Sequence, residues 1–277
     1  MIYFLATMVN SGFVVIFAQE PCHCFTYETM CNNLFVFNIV QSMKIKDLYF
    51  LLGVVALFAP FIFFDRVAAF YMQANIQLPM LMAFLKFAIL APIGEVIGLR
   101  IKTGQYNQPG FGLLPRAVVW GLIGLTIQAA FMIFSTGTPV FLTFLGMPDA
   151  PGTLVSAGFS PEKLLVAFSI SVFMNLFYAP VMMTFHKITD THIEQNGGSL
   201  KALLRKLPMG EIMQGINWRV QWGFVYKKTI PLFWIPAHTI TFLLPPEHRV
   251  LFAALLGIML GVFLAVAAVL GRKAVAG

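Results

Sequence analysis

The chain has 277 residues, of which 59% are hydrophobic and 10% charged, against roughly 45–50% and 25% in soluble domains. That much apolar surface cannot be hidden in a water-soluble core, so the composition excludes a soluble globular protein and implies an integral helical membrane protein. No tightly alternating strand pattern supports a β-barrel, and the formal net charge of +7 reads as basic loops beside anionic lipid, not as a nucleic-acid surface.

All three cysteines, Cys22, Cys24 and Cys31, precede residue 43, and no Lys or Arg does. Met43-Lys-Ile-Lys-Asp followed by an apolar run looks like a natural start. Residues 1–42 are therefore expected to be a non-native or disordered extension, and residues 43–277 a single helical membrane domain. The rival readings are an extra span over residues 1–18 and a small metal site at Cys22, His23, Cys24 and Cys31. The direct Cys-His-Cys succession lacks the usual two-residue gap of a zinc site.

Residues 48–64 are uncharged and about one span long, and Asp65-Arg66 closes them. Residues 68–78 are mixed, either an interfacial helix or an elongation of the next span. Residues 79–99 form the second expected span, carrying Lys86, Glu95 and Pro92. A charge facing lipid near the bilayer centre would cost at least ~2.5–3.5 kcal/mol. Lys86 and Glu95 are nine residues apart, which puts them on opposite helix faces, so each is expected to face other helices, a watery cavity or the interface. Residues 100–115 are a polar turn region without an acid.

The third expected span covers residues 116–134, opened by Pro115, with Gly121 and Gly124 suited to close helix approach. Residues 135–161 read as a Gly/Pro/Thr-rich loop and residues 164–185 as the fourth span, interrupted by Asn175 and Pro180. Residues 187–228 are a long basic connection. Within it Leu200, Leu203, Leu204 and Leu207 fall at i, i+3, i+4 and i+7, with Lys201, Arg205 and Lys206 off that stripe. Ser199 at its start and Pro208 at its end predict a short amphipathic helix on the membrane surface. His186 and His192 lie six apart with Asp190 between, at a membrane edge; a metal site there is the lesser alternative, and the expectation is that the chain carries no metal or cofactor.

The segment from Trp234 to Arg249 is apolar, interrupted by Pro236, Pro245 and Pro246, and holds His238 and Thr241. Such a segment is tolerated in a bilayer only where protein or trapped water covers its backbone. Residues 250–270 then form a clean span. Ala253, Gly257, Gly261 and Ala265 recur every four residues along it, a helix-packing stripe that fits a neighbour in the same chain or in a second copy. The basic segments 43–47, 100–116 and 186–228 fall on one side of the membrane under this reading.

Trp234, His238, Thr241-Phe242, Pro245 and Arg249 resemble the pattern W-P-x-x-Q-x-x-N-F-x-x-V-P-x-x-x-R, which precedes the final apolar helix in the Mpv-seventeen/peroxisomal membrane protein family. His238 stands where that family has Gln and Thr241 where it has Asn. Ile93-Gly94-Glu95 is similar to the family's Gly-Asp pair, Arg116 to its span-opening Arg, and Asn175-Leu-Phe-Tyr-Ala-Pro180 to its Asp-Gln and Ala-Pro block. The Gly-Pro-x-x-His-x-Trp core and the late Trp are absent.

The fold class expected is an all-α membrane bundle of about five to six spans with a proline-broken segment before the last. The resemblance implies a channel-like or pore-like protein for small solutes, in a bacterial inner membrane or an organellar one. Its pore or polar cluster would comprise Lys86, Glu95, Asn175, His238, Thr241 and Arg249, meeting around the broken segment. The alternatives are a non-transporting scaffold acting through the basic loop and an intramembrane enzyme, although no phosphate loop, zinc-protease motif or nucleophile elbow occurs. Expected partners are the bilayer, anionic lipid at Lys201, Arg205 and Lys206, and a second copy of the chain.

Overall fold

A computed structural model describes residues 44–259 and 261; the expected extension over residues 1–42, and Ala265 of the small-residue stripe, lie outside them. The described residues are helical with no strand. The chain divides into two units.

In the first unit, α1 (Ile45–Phe63) is capped by Asp47, whose carboxylate accepts the Lys44 backbone N–H at 2.7 Å. No residue of α1 is buried. Asp65 opens α2 (Asp65–Gln77), a separate helix where the sequence left two options, and Tyr71 meets Phe61 edge-on at 5.3 Å.

The second unit begins at Asn75. Pro79 sits in the first turn of α3 (Pro79–Thr103), where its missing N–H costs nothing, and left-handed Gly104 ends the helix. The central helix is α4 (Leu113–Phe144), which packs on α3, on the short α5 (Ala150–Val155), and on α6 (Pro161–Phe177) and α7 (Ala179–Gln195). Gly121 and Gly124 set the seam with α3. A Cβ on Gly124 would stand 2.7 Å from the Ala83 carbonyl oxygen, and one on Gly121 2.5 Å from the Phe84 ring. Backbones this close maximise van der Waals contact, the attraction that remains between apolar helices in lipid.

Several expected boundaries move. The third span runs ten residues past Phe134, because buried Thr138 and Pro139 are covered by protein and Thr143 returns its hydroxyl to the Pro139 carbonyl. The fourth is two helices bent by 44°. The break falls at Tyr178, just before Pro180, whose ring and missing N–H prevent one continuous helix. The second piece, α7, then continues to Gln195, through residues read as loop.

The leucine-rich stretch is a 3₁₀ turn, Leu200–Leu204, in place of an amphipathic α-helix. Ser199 caps it as expected, but the chain turns extended at Arg205 ahead of Pro208. The leucines therefore share no face: Leu204 is 91% exposed, while Leu207 packs on Ile188, Ile212 and Ile216 beside α8 (Met209–Gly215).

The break before the last helix also moves. The chain winds helically without interruption through α9 (Trp218–Val220), a wide π-helical stretch (Gln221–Trp234) and α10 (Ile235–Leu243). The Ile235 N–H bonds back to the Ile230 carbonyl, five residues earlier, next to Pro231 and Pro236, which lack donors of their own. The chain breaks only at Leu244-Pro245, and α11 follows over residues 246–259. Ala253 is buried, a Cβ on Gly257 would meet nothing, and one on Gly261 would lie 3.3 Å from the Gly94 oxygen. The stripe is thus a packing face at Gly261 and Ala253 but not at Gly257. A Cβ on Gly94 would in turn stand 2.8 Å from the Ile258 Cα, so α3 and α11 approach backbone to backbone.

By length and composition α1, α3 and α4 can each cross a membrane, and the bent pair α6–α7 makes up to four.

Candidate functional site

The site starts from two glycines. Gly112, just before α4, and Gly198, just after α7, both adopt positive φ (68° and 70°). A Cβ on Gly112 would stand 2.7 Å from the Gly198 Cα, a contact that only glycines allow. This clamp lays the end of α7 over the start of α4. His186, Asp190 and Glu194, spaced i, i+4, i+8 on α7, consequently face Arg116 in the first turn of α4.

Arg116 is 4% exposed. Its Nε donates to the Phe111 carbonyl at 2.7 Å, and its guanidinium carbon lies 4.9 Å from the Phe111 ring centre. Nη1 reaches Glu95 Oε2 and Asp190 Oδ2, each at 2.7 Å, and Nη2 reaches Glu194 Oε1 at 2.7 Å. One guanidinium therefore ties together α3, α4 and α7. The planar fork with five donors suits this; an ammonium could not serve so many acceptors at fixed angles.

A second layer surrounds the other oxygens. Trp120, one turn after Arg116, donates its indole N–H to Glu95 Oε1 at 2.6 Å. His186 Nε2 lies 3.2 Å from the same oxygen and 3.6 Å from Asp190 Oδ1. The His186 and Trp120 rings are 4.3 Å apart, and Phe87 stacks on the other side of Trp120 at 6.3 Å. The side chains of Glu95, Asp190 and His186 keep 18%, 16% and 21% of their surface open, and Glu194 keeps 55%. Three carboxylates thus share one Arg and one His, beside the C-terminal half of α3. Glu95, His186 and Asp190 are also the residues that could hold a metal ion, since one ligand atom from each lies within 4.8 Å of the others.

The other expected site residues are elsewhere. Lys86 is buried and donates to Asn75. It lines a cavity of about 210 Å³ with Gln128 and Glu247, toward the N-terminal end of α3. Asn175 is fully buried on α6 and joins His238 on α10, with Nδ2 3.0 Å from the imidazole Nδ1. Asn175 also donates to the Ser171 carbonyl at 2.8 Å, and Ser171 donates to the Ile235 carbonyl at 2.7 Å. Phe131 and Trp234 flank the imidazole. Thr241 turns its hydroxyl back to the Ala237 carbonyl inside α10. Arg249 closes the α10 C-terminus by donating to the Leu244 and Phe242 carbonyls at 2.9 and 3.2 Å, where a cation meets the negative end of the helix dipole.

The expectation that these residues meet at one broken segment is therefore corrected. Asn175 and His238 do meet, Lys86 lines a cavity with Pro246 and Glu247 at the break, and Arg249 closes the helix that ends there, but Glu95 lies apart with Arg116. The helix carrying His238 is unbroken at that residue, and the polar side chains find partners on whichever helix lies opposite. Lys201, Arg205 and Lys206 are exposed, and Arg205 donates to Asn196 at 2.6 Å.

The sequence reading missed Trp120 and Glu194, weighed His186 and Asp190 only as a metal site with His192, and noted Arg116 only as a helix opener. The available signal was the i, i+4, i+8 spacing of His186, Asp190 and Glu194, which would have shown one polar helix face had α7 been extended past Phe185. Comparison with protein-family models, with curated proteins and with solved structures gives no match.

Proposed function

We propose that this is a multi-span membrane protein that passes small solutes, with the Arg116 cluster as its mouth on the basic side. The observation that carries this reading is two groups of polar side chains within the bundle at different heights along α3. One is the largely buried cluster of Glu95, Arg116, His186 and Asp190; the other lines the cavity with Lys86, Asn75, Gln128 and Glu247. Glu95 and Lys86 are nine residues apart, about 13.5 Å along a helix axis, so under this reading the two groups lie at different depths in the bilayer. The buried Asn175–His238 pair adds a further polar group in the bundle. Ionisable groups inside a bundle are costly unless they serve a path or a contact.

Six crossings fit this reading. They are α1, α3, α4, the bent α6–α7, the rod from Trp218 to Leu243, and α11 with the apolar residues after it. The segments around Lys44, Arg100–Arg116 and Lys201–Arg205 then share one face, where exposed Lys201, Arg205 and Lys206 would touch anionic headgroups. The resemblance to the Mpv-seventeen/peroxisomal membrane protein family points to the same class.

The test is flux through the purified protein in liposomes loaded with ion and small-metabolite reporters. Flux above protein-free liposomes, reduced by Glu95→Gln, is expected. Flux equal to that of empty liposomes, with the protein folded and inserted, overturns the conduit. That result would favour a scaffold, which the complete pairing of Arg116 would equally serve.

A further inference from the structure

We propose that Glu95, His186 and Asp190 form a binding site for a first-row divalent cation such as Mn²⁺, Fe²⁺ or Zn²⁺. The cluster divides its oxygens in two. Arg116 occupies the outer pair, Glu95 Oε2 and Asp190 Oδ2. The inner pair, Glu95 Oε1 and Asp190 Oδ1, shares His186 Nε2, at 3.2 and 3.6 Å, and Glu95 Oε1 also accepts the Trp120 indole N–H at 2.6 Å. An imidazole carries at most one proton on that nitrogen and cannot give full hydrogen bonds to both. Asp190 Oδ1 accepts no hydrogen bond within the described residues, while its side chain stays 16% open. It is a ligand-grade oxygen left over by the ion-pair network.

The spacing suits a cation between the three atoms. With metal–ligand bonds of ~2.0–2.2 Å, neighbouring ligands of an octahedral or tetrahedral ion sit roughly 3.0–3.5 Å apart. The Glu95–His186 distance falls in that range and the Asp190–His186 distance just beyond it. One imidazole nitrogen and two carboxylate oxygens suit Mn²⁺, Fe²⁺ and Zn²⁺, with the remaining positions open to water on the exposed side. Charge favours the same occupant: Glu95, Asp190 and Glu194 bring three carboxyl groups against the single guanidinium of Arg116. The outer support of a metal site is already present, because the Trp120 indole N–H holds the ligating Glu95 oxygen and Arg116 fixes both carboxylate planes. His186 and Asp190 come from one face of α7 and Glu95 from α3, so the cation would bridge two helices.

The test uses the full chain in detergent micelles and Mn²⁺ alone, followed by loss of the free-ion EPR signal. Mn²⁺ is chosen because the thiols of Cys22, Cys24 and Cys31 favour softer metals. One ion per chain is expected, weakened at least ~10-fold by His186→Ala and by Asp190→Asn. Mn²⁺ should also raise the unfolding temperature of the wild type and not of those variants. Lys201→Ala, outside the site, should bind as wild type. No loss of the free signal at excess protein, or equal binding by wild type and both variants, overturns the site. The measurement needs no transport, so its outcome is separate from that of the flux assay.

Discussion

Replacing Arg116 with alanine lowers the stability of the folded chain by about 3–5 kcal/mol, the range for removing one partner of a buried ion pair. The side chain is 5% exposed and faces carboxylates from two other helices. Its loss leaves Glu95 and Asp190 with one imidazole between them and deprives the Phe111 carbonyl of its donor. Most of the cost is this uncompensated charge, so a second change that removes charge should recover part of it. Arg116→Ala combined with Glu95→Gln is therefore expected to be more stable than Arg116→Ala alone, although Glu95→Gln by itself destabilises. Arg116→Lys should fall between, because an ammonium restores the charge without the fork. Reversible unfolding in mixed micelles, read by circular dichroism, gives all four values. An Arg116→Ala chain within about 0.5 kcal/mol of wild type, the range of an ordinary surface change, would show that the cluster holds nothing together.

The second large effect is at Asn175 and His238. Asn175→Leu should cost about 1–3 kcal/mol, since it leaves the His238 Nδ1 buried without its partner. His238→Leu should cost a similar amount, because it removes the imidazole partner of the Asn175 amide and leaves it only the Ser171 contacts. With both replaced by leucine nothing polar is left unpaired, and the double variant is expected to lie closer to wild type than the sum of the two losses. The same unfolding measurement supplies this double-mutant cycle. Strictly additive losses would mean that the two side chains act independently and that α6 and α10 are held by packing alone.

Much of the architecture was readable because a few residues act through local chemistry. Pro79 and the apolar run behind it gave α3 within a few residues. Gly121 and Gly124 gave the seam between α3 and α4, and helical periodicity placed Lys86 and Glu95 on opposite faces, where they in fact meet different partners. What failed was reading polarity as loop. Thr138 and Pro139 are buried within α4, and His186, Asp190 and Glu194 are helical although charged, because protein rather than water satisfies them. Period alone misled at Leu200–Leu207, where the chain makes a 3₁₀ turn to Leu204 and turns extended at Arg205, so the leucines share no face. The partners of Arg116 were out of reach for a different reason. Glu95 is 21 residues away and Glu194 78, and no local pattern encodes a contact between helices so far apart in sequence. The glycine clamp that creates that contact, Gly112 on Gly198, looks in sequence like two ordinary turns.

The account rests on Arg116 joining α3 to α7, and the most direct measurement is of that distance with the protein in a lipid bilayer. Solid-state NMR dipolar recoupling between ¹⁵N-labelled arginine and side-chain ¹³C-carboxyl groups, with Arg116→Lys to assign the signal, reads the separation of guanidinium and carboxyl. The 2.7 Å contacts from Nη1 to Glu95 and Asp190 predict two carboxyl carbons at roughly 3.5 Å from the Arg116 nitrogens, one lost in Glu95→Gln and the other in Asp190→Asn. An Arg116 guanidinium with no carboxyl carbon within about 6 Å, well beyond hydrogen-bond reach, would contradict it.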